Sequence, residues 1–388
     1  RDRARTATTS SSKARTTSPE SGFHRLSFRW QTNPSPCDEP HRLTVMRRVV
    51  IHRPGGHRRL TIEEHPSPSP GAGEVGIEVV AAGVNFADTL VRMGLYTSSR
   101  EQVGWPVTPG FEIAGRVAVL GAGVTDLEVG DEVLAVTLFG GYASEVVASR
   151  DQVFPVPEGV TLQEAAAFPA PFLTACYGLI ELARPRPGES VLVHSAAGGV
   201  GGALVQLGKV AGCRVVGVVG ASHKVETVLR LGADAVIDRA TQDLWHEAER
   251  LEPEGYAVIC DANGVSTLRE SYDHLRRPGK LVVYGFHSML AKGSSRPSWP
   301  RLAWTWLRTP RFDPLRMTNS SRSVLAFNLS YFFDQKVLLG EIMAQLLGWL
   351  EAGRITPPPV AAFPFEAVAE AHRALESGDS VGKLVLTL

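Results

Sequence analysis

The sequence predicts an α/β protein in which a small antiparallel β-barrel, built from both ends of the chain, carries an inserted doubly wound parallel sheet. Three observations predict it. Between 49 and about 168, short apolar runs ("GEVGIEVVAAGV", "FEIAGRVAVLG", "GDEVLAVT", "YASEVVAS") are broken by Gly and Pro, the pattern of a small barrel. From 190 onward strand-like and helical runs alternate, which requires parallel strands joined by crossover helices. The stretch "SVLVHSAAGGVGGALVQLGKVAG", residues 190–212, reads as a strand, a glycine-rich turn and a helix.

Taken in order, the first 45 residues are rich in Ser, Thr and Arg and poor in apolar side chains. They bury too little surface to offset their ordering entropy and are expected to be disordered. This extension has the composition of a transit peptide; alternatively the start lies upstream of the true one, since Met46 precedes the first strand-like run, "RRVVIHR". The barrel is expected over 46–169, completed by 331–388. After Pro169, "PFLTACYGLIELA" looks helical. The alternation then runs through "SVLVHSA", "RVVGVVG", "KVETVLRLG", "DAVID", "YAVICDA", "LRESYDHLRR" and "KLVVYGF", placing the parallel sheet in 170–330. Residues 288–322 interrupt the rhythm, "SVLAFNLSYF" restores a strand, and "LLGEIMAQLLGWLEAG", "PFEAVAEAHRALESG" and "GKLVLTL" give two helices and a last strand.

Composition excludes several function classes. The chain has 388 residues, enough for two domains, and 40 basic residues balance 40 acidic ones, so no global charge draws it to nucleic acid. No apolar run approaches the 18 or so residues that span a bilayer. The four cysteines are scattered, without a CxxC pair, and a reducing, cytoplasmic setting is the expectation.

A parallel strand ending in a glycine turn that opens a helix places free N–H groups and the positive helix end against a pyrophosphate. In Ala196-Ala197-Gly198-Gly199-Val200-Gly201, Gly198 allows close approach of the phosphates and Gly201 lets the helix pack on the strand, while Ala196 stands where a dinucleotide fingerprint opens with glycine. NAD enzymes place an acid at the end of the next strand to bind the ribose 2′-hydroxyl; here Gly220 holds that place. A 2′-phosphate then has room, with Ser222, Lys224 and Arg239 to meet its charge, and NADPH is the implied cofactor.

Together "AAGVNFADTLVRMGLY", "TPGFEIAGRV", "AAFPAPFLTACYGL", "HSAAGGVG" and "GKLVLTL" resemble the medium-chain dehydrogenase/reductase superfamily from Met46 to the end of the sequence. They look most like its zinc-free quinone oxidoreductase branch, relatives of zeta-crystallin, in which Ala characteristically stands at the first glycine position. The aromatic insert followed by "FNLSYF" looks like the subgroup of the synaptic vesicle membrane protein named for vesicle amine transport, to which lipid and membrane association are attributed. The resemblance implies a GroES-like barrel, an inserted Rossmann domain, and a homodimer formed through an edge strand. Zinc-dependent members use a Cys early in the barrel and the His of a Gly-His-Glu triplet; here Gly83-Val84-Asn85 lacks the Cys and Phe111 replaces the His. Glu112 alone cannot supply the three donors catalytic zinc needs, and the eleven histidines, none in an HxxxH or HExxH pattern, are read as surface residues.

Without a metal, chemistry rests on positioning and hydrogen bonding toward an acceptor that is already electrophilic, a quinone or an α,β-unsaturated ketone. By the resemblance, Asn85 and Tyr96 face the substrate, Asp88 organises the loop, and Leu90 stands where the branch often has a second tyrosine. Asn85 also suits a helix N-cap. Thr174 is expected beside the nicotinamide, Gly264 near the adenine–ribose path, Phe286 near the nicotinamide ribose, and Phe327, Leu329 and Lys383 along the cleft between domains. The insert holds Trp299, Trp304 and Trp306 with four arginines in "SWPRLAWTWLRTPRFDPLRM", and 299–308 suits either a flap over the cleft or dimer seam, or a bilayer surface. Two further functions stay open: a lipid-binding protein that holds NADPH with little turnover, and an enoyl-thioester reductase.

Overall fold

A computed structural model describes residues 45–290, 293 and 296–388, so the expected disordered extension lies, apart from Val45, outside the described residues. Strands β1 (Val45–Val50) and β2 (Thr61–Pro66) form an antiparallel hairpin. Then come β3 (Glu74–Val84), helices α1 (Phe86–Met93) and α2 (Thr97–Gln102), β4 (Glu112–Leu120), β5 (Glu132–Val136), β6 (Glu145–Ser149), β7 (Val153–Pro155) and α3 (Leu162–Ala166). A long helical stretch, α4 (Pro169–Cys176) continued as a wider π turn over Tyr177–Ala183, leads into alternating β8 (Ser190–Val193), α5 (Gly199–Val210), β9 (Arg214–Val219), α6 (Val225–Arg230), β10 (Ala235–Asp238), α7 (Leu244–Leu251), β11 (Tyr256–Asp261), α8 (Leu268–Asp273) and β12 (Leu275–Val283). Helices α9 (Trp299–Arg308) and α10 (Pro314–Ser320) precede β13 (Arg322–Ala326), and α11 (Lys336–Glu351), β14 (Val360–Pro364), α12 (Val368–Ser377) and β15 (Lys383–Thr387) complete the chain.

Two larger sheets result. In the first, β14-β15-β3-β4-β5-β7 with β6 also on β3, the last strand of the sequence pairs antiparallel with β3, so both ends of the chain build one barrel-like sheet. Strand β3 is buried almost throughout because β4, β6 and β15 all pair along it. In the second, β10-β9-β8-β11-β12-β13, every pairing is parallel. Its order reverses between β8 and β11, the point where open parallel sheets leave a crevice beyond their carboxyl ends.

One apolar core runs through both sheets. Ala81, Ala114 and Leu134 of the first share it with Val191 and Val193 of the second, through Phe168, Phe172 and Leu173 at α4. Helix α11, expected to belong to the barrel, contributes Ile342, Met343 and Leu346 to this same cluster beside α4. Two boundaries also differ from expectation. The helix read from "LRESYDHLRR" stops at Asp273, because Leu275 pairs with Tyr256 and opens β12. "SVLAFNLSYF" is a strand only to Ala326; Asn328 then accepts the Ser330 N–H and starts a 3-10 turn over Leu329–Phe332. The short strands β2, β7 and β14 carry no alternating apolar pattern and were not anticipated.

Close approach of β3 and β4 depends on Gly115, where a Cβ would overlap the Glu78 carbonyl beside a shift in the strand register. Gly115→Ala is expected to lower the free energy of unfolding by about 2 kcal/mol, as overpacking commonly does, and the shift in urea midpoint measures it.

Candidate functional site

The glycine turn lies at the sheet's reversal point. Strand β8 ends at Val193, His194 follows it, Ser195 holds a left-handed backbone (φ 54°), and Gly198 caps α5. A Cβ on Gly201 would overlap the Ser195 carbonyl, so only glycine lets α5 start this close to the strand. Ala196 is fully buried and does not face the crevice; a Cβ on Gly217 of the neighbouring strand β9 would lie 3.0 Å from the Ala196 methyl. The methyl at the first turn position is therefore accommodated by a glycine in the next strand. Ala197, Gly198, Gly199 and Val200 line a cleft of about 1330 Å³, whereas Ala196 and Gly201 shape the turn from beneath.

At the end of β9, Gly220 faces open space: nothing lies within 4 Å of where its Cβ would be. Lys224 and Arg239 line the cleft there. Lys224 is buried and donates to the carbonyls of Gly378 (2.6 Å) and Ser380 (2.9 Å), while Arg239 is exposed. Ser222 instead turns to the Asp238 carboxylate at the end of β10, to which its hydroxyl donates, and it is not on the cleft lining. Asp238 is an acid that a search along β9 alone does not meet. Its carboxyl is held below the usual range by the Ser222 hydroxyl and the Ala240 N–H. The open turn at Gly198, the helix start at Gly199 and the room at Gly220 with two cations nearby fit a phosphate-bearing dinucleotide.

Across the cleft, Glu112 at the start of β4 is fully buried and paired with Lys383 of β15 at 2.5 Å. The Asn85 amide donates to the same oxygen as Lys383 (2.9 Å), and the other oxygen accepts the Ala170 N–H (2.7 Å). Lys383 also donates to the Val84 carbonyl (2.8 Å) and lies along Gly199, where a Cβ would be 3.1 Å from its Cδ. Gly83 must be glycine, since a Cβ would overlap Glu112 and the Ala166 carbonyl. This pair joins β3, β4, α4, β15 and the glycine turn at one point. Next to it, the Gly382 N–H donates to the Ala197 carbonyl (2.8 Å).

Asn85 stands at the N-cap of α1, as its residue type allows, with its amide directed to Glu112. Asp88 organises the loop: fully buried, it accepts the N–H groups of Asn85 and Gly110 (2.8 Å each) and the Tyr142 hydroxyl (3.0 Å). Tyr96 donates to the Asn328 side chain (2.8 Å) and packs on Phe111 and Phe139, 5.8 and 6.3 Å between ring centres. Burial pushes its phenol up, which keeps it protonated. Asn85, Leu90, Tyr96 and Phe111 all line the cleft.

Of the other expected residues, Thr174, Phe286, Phe327, Leu329 and Lys383 line the cleft. The Thr174 hydroxyl is taken up by the Ala170 carbonyl, one turn back within α4, which starts at Pro169. The Phe327 ring packs edge-on to Tyr177 (5.0 Å) and over Gly178. Gly264 is off the lining; it has φ +82°, and a Cβ there would press on Phe286 at 2.6 Å, so it supports that ring from behind. Helix α9 divides its tryptophans: Trp304, with Arg301, Thr305 and Arg308, lines the cleft, while Trp299 and Trp306 face away and are 68% and 67% exposed.

The histidines are not all at the surface. His194 and His372 are fully buried, and desolvation holds both rings below the usual histidine range, hence neutral. His194 meets the Ser271 hydroxyl (3.1 Å), which also donates to Asp261 (2.9 Å). Asp261, fully buried at the end of β11, takes the N–H groups of Asn263 (2.8 Å) and Gly264 (3.0 Å) and the Thr267 hydroxyl (2.7 Å). Asp261 thus sets the loop on the far side of the reversal point, a role the motif "DANG" signals only by its acid at the strand end. Among the described residues no group of three or more His, Cys, Asp or Glu is arranged to hold a metal ion. Nor is any helix of the described residues long and apolar enough to cross a membrane.

Residues 71–158 match the alcohol dehydrogenase GroES-like domain family and 231–386 the zinc-binding dehydrogenase family. The Homo sapiens synaptic vesicle membrane protein VAT-1 homolog is 35% identical over 345 residues, 88% of this chain and 86% of its own. A Burkholderia 2-haloacrylate reductase is 30% identical over 348 residues, 87% of this chain and 98% of its own. The Escherichia coli quinone oxidoreductase solved with NADPH superposes with a TM-score of 0.75 at 28% identity, covering 88% of this chain and all of that one (100%).

Burial raises the Asp88 carboxyl from 3.8 to about 6, against its three hydrogen bonds. Between those values the folded chain keeps a proton that the unfolded chain has lost, so stability from this group is present below about pH 4 and is lost as pH rises through 6. Asp88→Asn removes that dependence. The melting temperature of the parent minus that of the variant is expected to fall as pH is raised from about 4 to about 7, measured by thermal melts in matched buffers.

Proposed function

The chain belongs to the medium-chain dehydrogenase/reductase superfamily, and from that premise we propose that it is an NADPH-dependent, zinc-independent reductase of quinones or α,β-unsaturated carbonyl compounds. The observation that carries this reading is the occupation of Glu112, in the triplet whose His is replaced by Phe111, by the Lys383 ammonium at 2.5 Å. A cation already neutralises that carboxylate, and Phe111 and Asn85 beside it offer no thiolate or imidazole.

Ala197, Gly198 and Gly199 at the start of α5 would hold the pyrophosphate, Lys224 and Arg239 the 2′-phosphate, and Thr174, Phe286 and Phe327 the nicotinamide end. Bound there, the reduced nicotinamide supplies a hydride, and the acceptor takes it with one proton from solvent. The protein's share is orientation and hydrogen bonding. Glu112 and Lys383 fix the Asn85 amide, and Asn328 fixes the Tyr96 hydroxyl. Asn85 keeps a second amide N–H for an acceptor oxygen that gains negative charge, whereas the Tyr96 hydroxyl donates to that oxygen only by exchanging Asn328 for it; preorganised donors stabilise such charge most when water is excluded. The similarity to a quinone oxidoreductase and to a 2-haloacrylate reductase supports an activated double bond or quinone as acceptor. Strand β13 is one of the two edge strands of its sheet among the described residues, with β10 at the other end, which supports a homodimer formed by antiparallel pairing of β13 across a two-fold axis.

A second reading, contact with a bilayer surface, is favoured by the outer face of α9, where Trp299, Trp306 and Leu307 are exposed together. Trp304 faces the cleft, so flotation with anionic liposomes that is lost on joint Trp299→Ala and Trp306→Ala replacement is the expected result of that reading.

NADPH oxidation is expected with 1,4-benzoquinone, with simple enones or with a crotonyl thioester, and unchanged rates are expected after chelator treatment. Asn85→Ala is expected to lower kcat/KM by about 10- to 100-fold with little change in NADPH affinity, since removing one oxyanion donor has effects of this size or larger. Gly198→Val is expected to weaken NADPH binding, measured by calorimetry, by more than about tenfold. No oxidation with any of these acceptors, together with NADPH affinity unaltered by Gly198→Val, would overturn the proposal.

A further inference from the structure

The whole chain is electrically balanced, yet the cleft lining holds six basic residues and only two acidic ones, Glu270 and Glu376. Lys383 is neutralised by Glu112, and Lys224 is bound to main-chain carbonyls. Two of the remaining four cations, Arg301 and Arg308, come from α9 and flank Trp304, with the Arg308 guanidinium 5.7 Å from the ring centre. Spaced three and four positions from Trp304, all three share one helix face. None of them serves the barrel or the parallel sheet: α9 buries no residue in the core.

Their position separates them from the phosphate end. The Arg301 guanidinium reaches the Ser288 carbonyl (3.4 Å), in the loop that follows β12, and the His287 ring in that loop packs at a tilt on Phe86 (4.1 Å between ring centres), the residue after Asn85. The room for a 2′-phosphate lies instead at the end of β9. Strands β9 and β12 are separated by β8 and β11, three strand spacings or about 14 Å. Helix α9 is therefore anchored on the side of the cleft that holds Asn85.

We propose that Arg301, Trp304 and Arg308 form an anion-and-ring subsite that selects acceptors joining a conjugated carbonyl to a carboxylate, sulfonate or phosphate. Guanidinium groups pair such anions through two parallel hydrogen bonds, and the indole supplies a flat surface for the conjugated part. This rests on the reductase reading for the word acceptor; the subsite itself rests on α9.

The test compares 1,4-naphthoquinone with its 2-sulfonate as acceptors for the parent, for the joint Arg301→Ala and Arg308→Ala variant, and for Arg316→Ala on α10, an exposed arginine outside the cleft lining, as a charge control. The expected result is a rise of about tenfold in KM for the sulfonate in the double variant only, with KM for the parent quinone and for NADPH unchanged, the loss being steeper at low salt. Equal changes for both quinones would overturn the proposal, as would a change confined to NADPH, which would assign the guanidinium pair to the coenzyme. Quenching of tryptophan emission by the sulfonate in the presence of NADPH supplies a readout without turnover. If neither quinone is reduced but quenching is lost in the double variant, the anion subsite stands and the reductase reading falls; quenching equal in parent and double variant overturns the subsite.

Discussion

The buried pair between Glu112 and Lys383 is the constraint on which the site depends. Two opposite charges out of water are costly unless each is fully hydrogen-bonded, and removing one partner of such a pair destabilises a fold by about 3–5 kcal/mol. Here each charge has several partners: the carboxylate takes a lysine, an amide and a main-chain N–H, and the ammonium takes a carboxylate and a carbonyl. Each partner comes from a different part of the chain, so satisfying one charge pins the barrel strands, the start of α4 and the final strand together. Gly83 exists to let this happen, being the only residue type that leaves room for the carboxylate.

Around that point the site is assembled from two loops held by buried acids. Asp88 ties the loop after β3 to Gly110 and Tyr142, and Asp261 ties the loop after β11 to the turn that supports Phe286. Both acids take two main-chain N–H groups together with side-chain hydroxyls, which fixes the backbone of each loop along with its supporting side chains. The cleft walls thus inherit their shape from two acids that lie off the cleft lining.

Much of this architecture was legible in the sequence. The alternation after Ser190 set out the parallel sheet, and the strands of the barrel announced themselves by their turns. The glycine turn was recognisable, but the reason for its alanine was not: the methyl of Ala196 fits because Gly217, twenty-one positions on and in another strand, is a glycine. Pairing across strands carries no local signal, which is also why short β2, β7 and β14 escaped notice and why Asp238, arriving from the next strand, was not seen beside Ser222. Lys383 was placed in the cleft from its motif alone, whereas its partner Glu112 was read only as a lone would-be metal donor. The histidines were misjudged because burial depends on what folds over a residue; His194 follows an apolar strand, a clue to burial that spacing rules for metal ligands ignore.

The bonds from Lys224 to Gly378 and Ser380 join the dinucleotide end of the cleft to the turn that precedes the last strand. A phosphate that draws this ammonium toward itself does so in exchange for two carbonyl acceptors, so coenzyme choice and the tethering of the C-terminal turn become linked equilibria, each shifting the other by the same factor. With Lys224 in the proposed role, discrimination between the two nicotinamide coenzymes is a property of that tether as well as of the pocket.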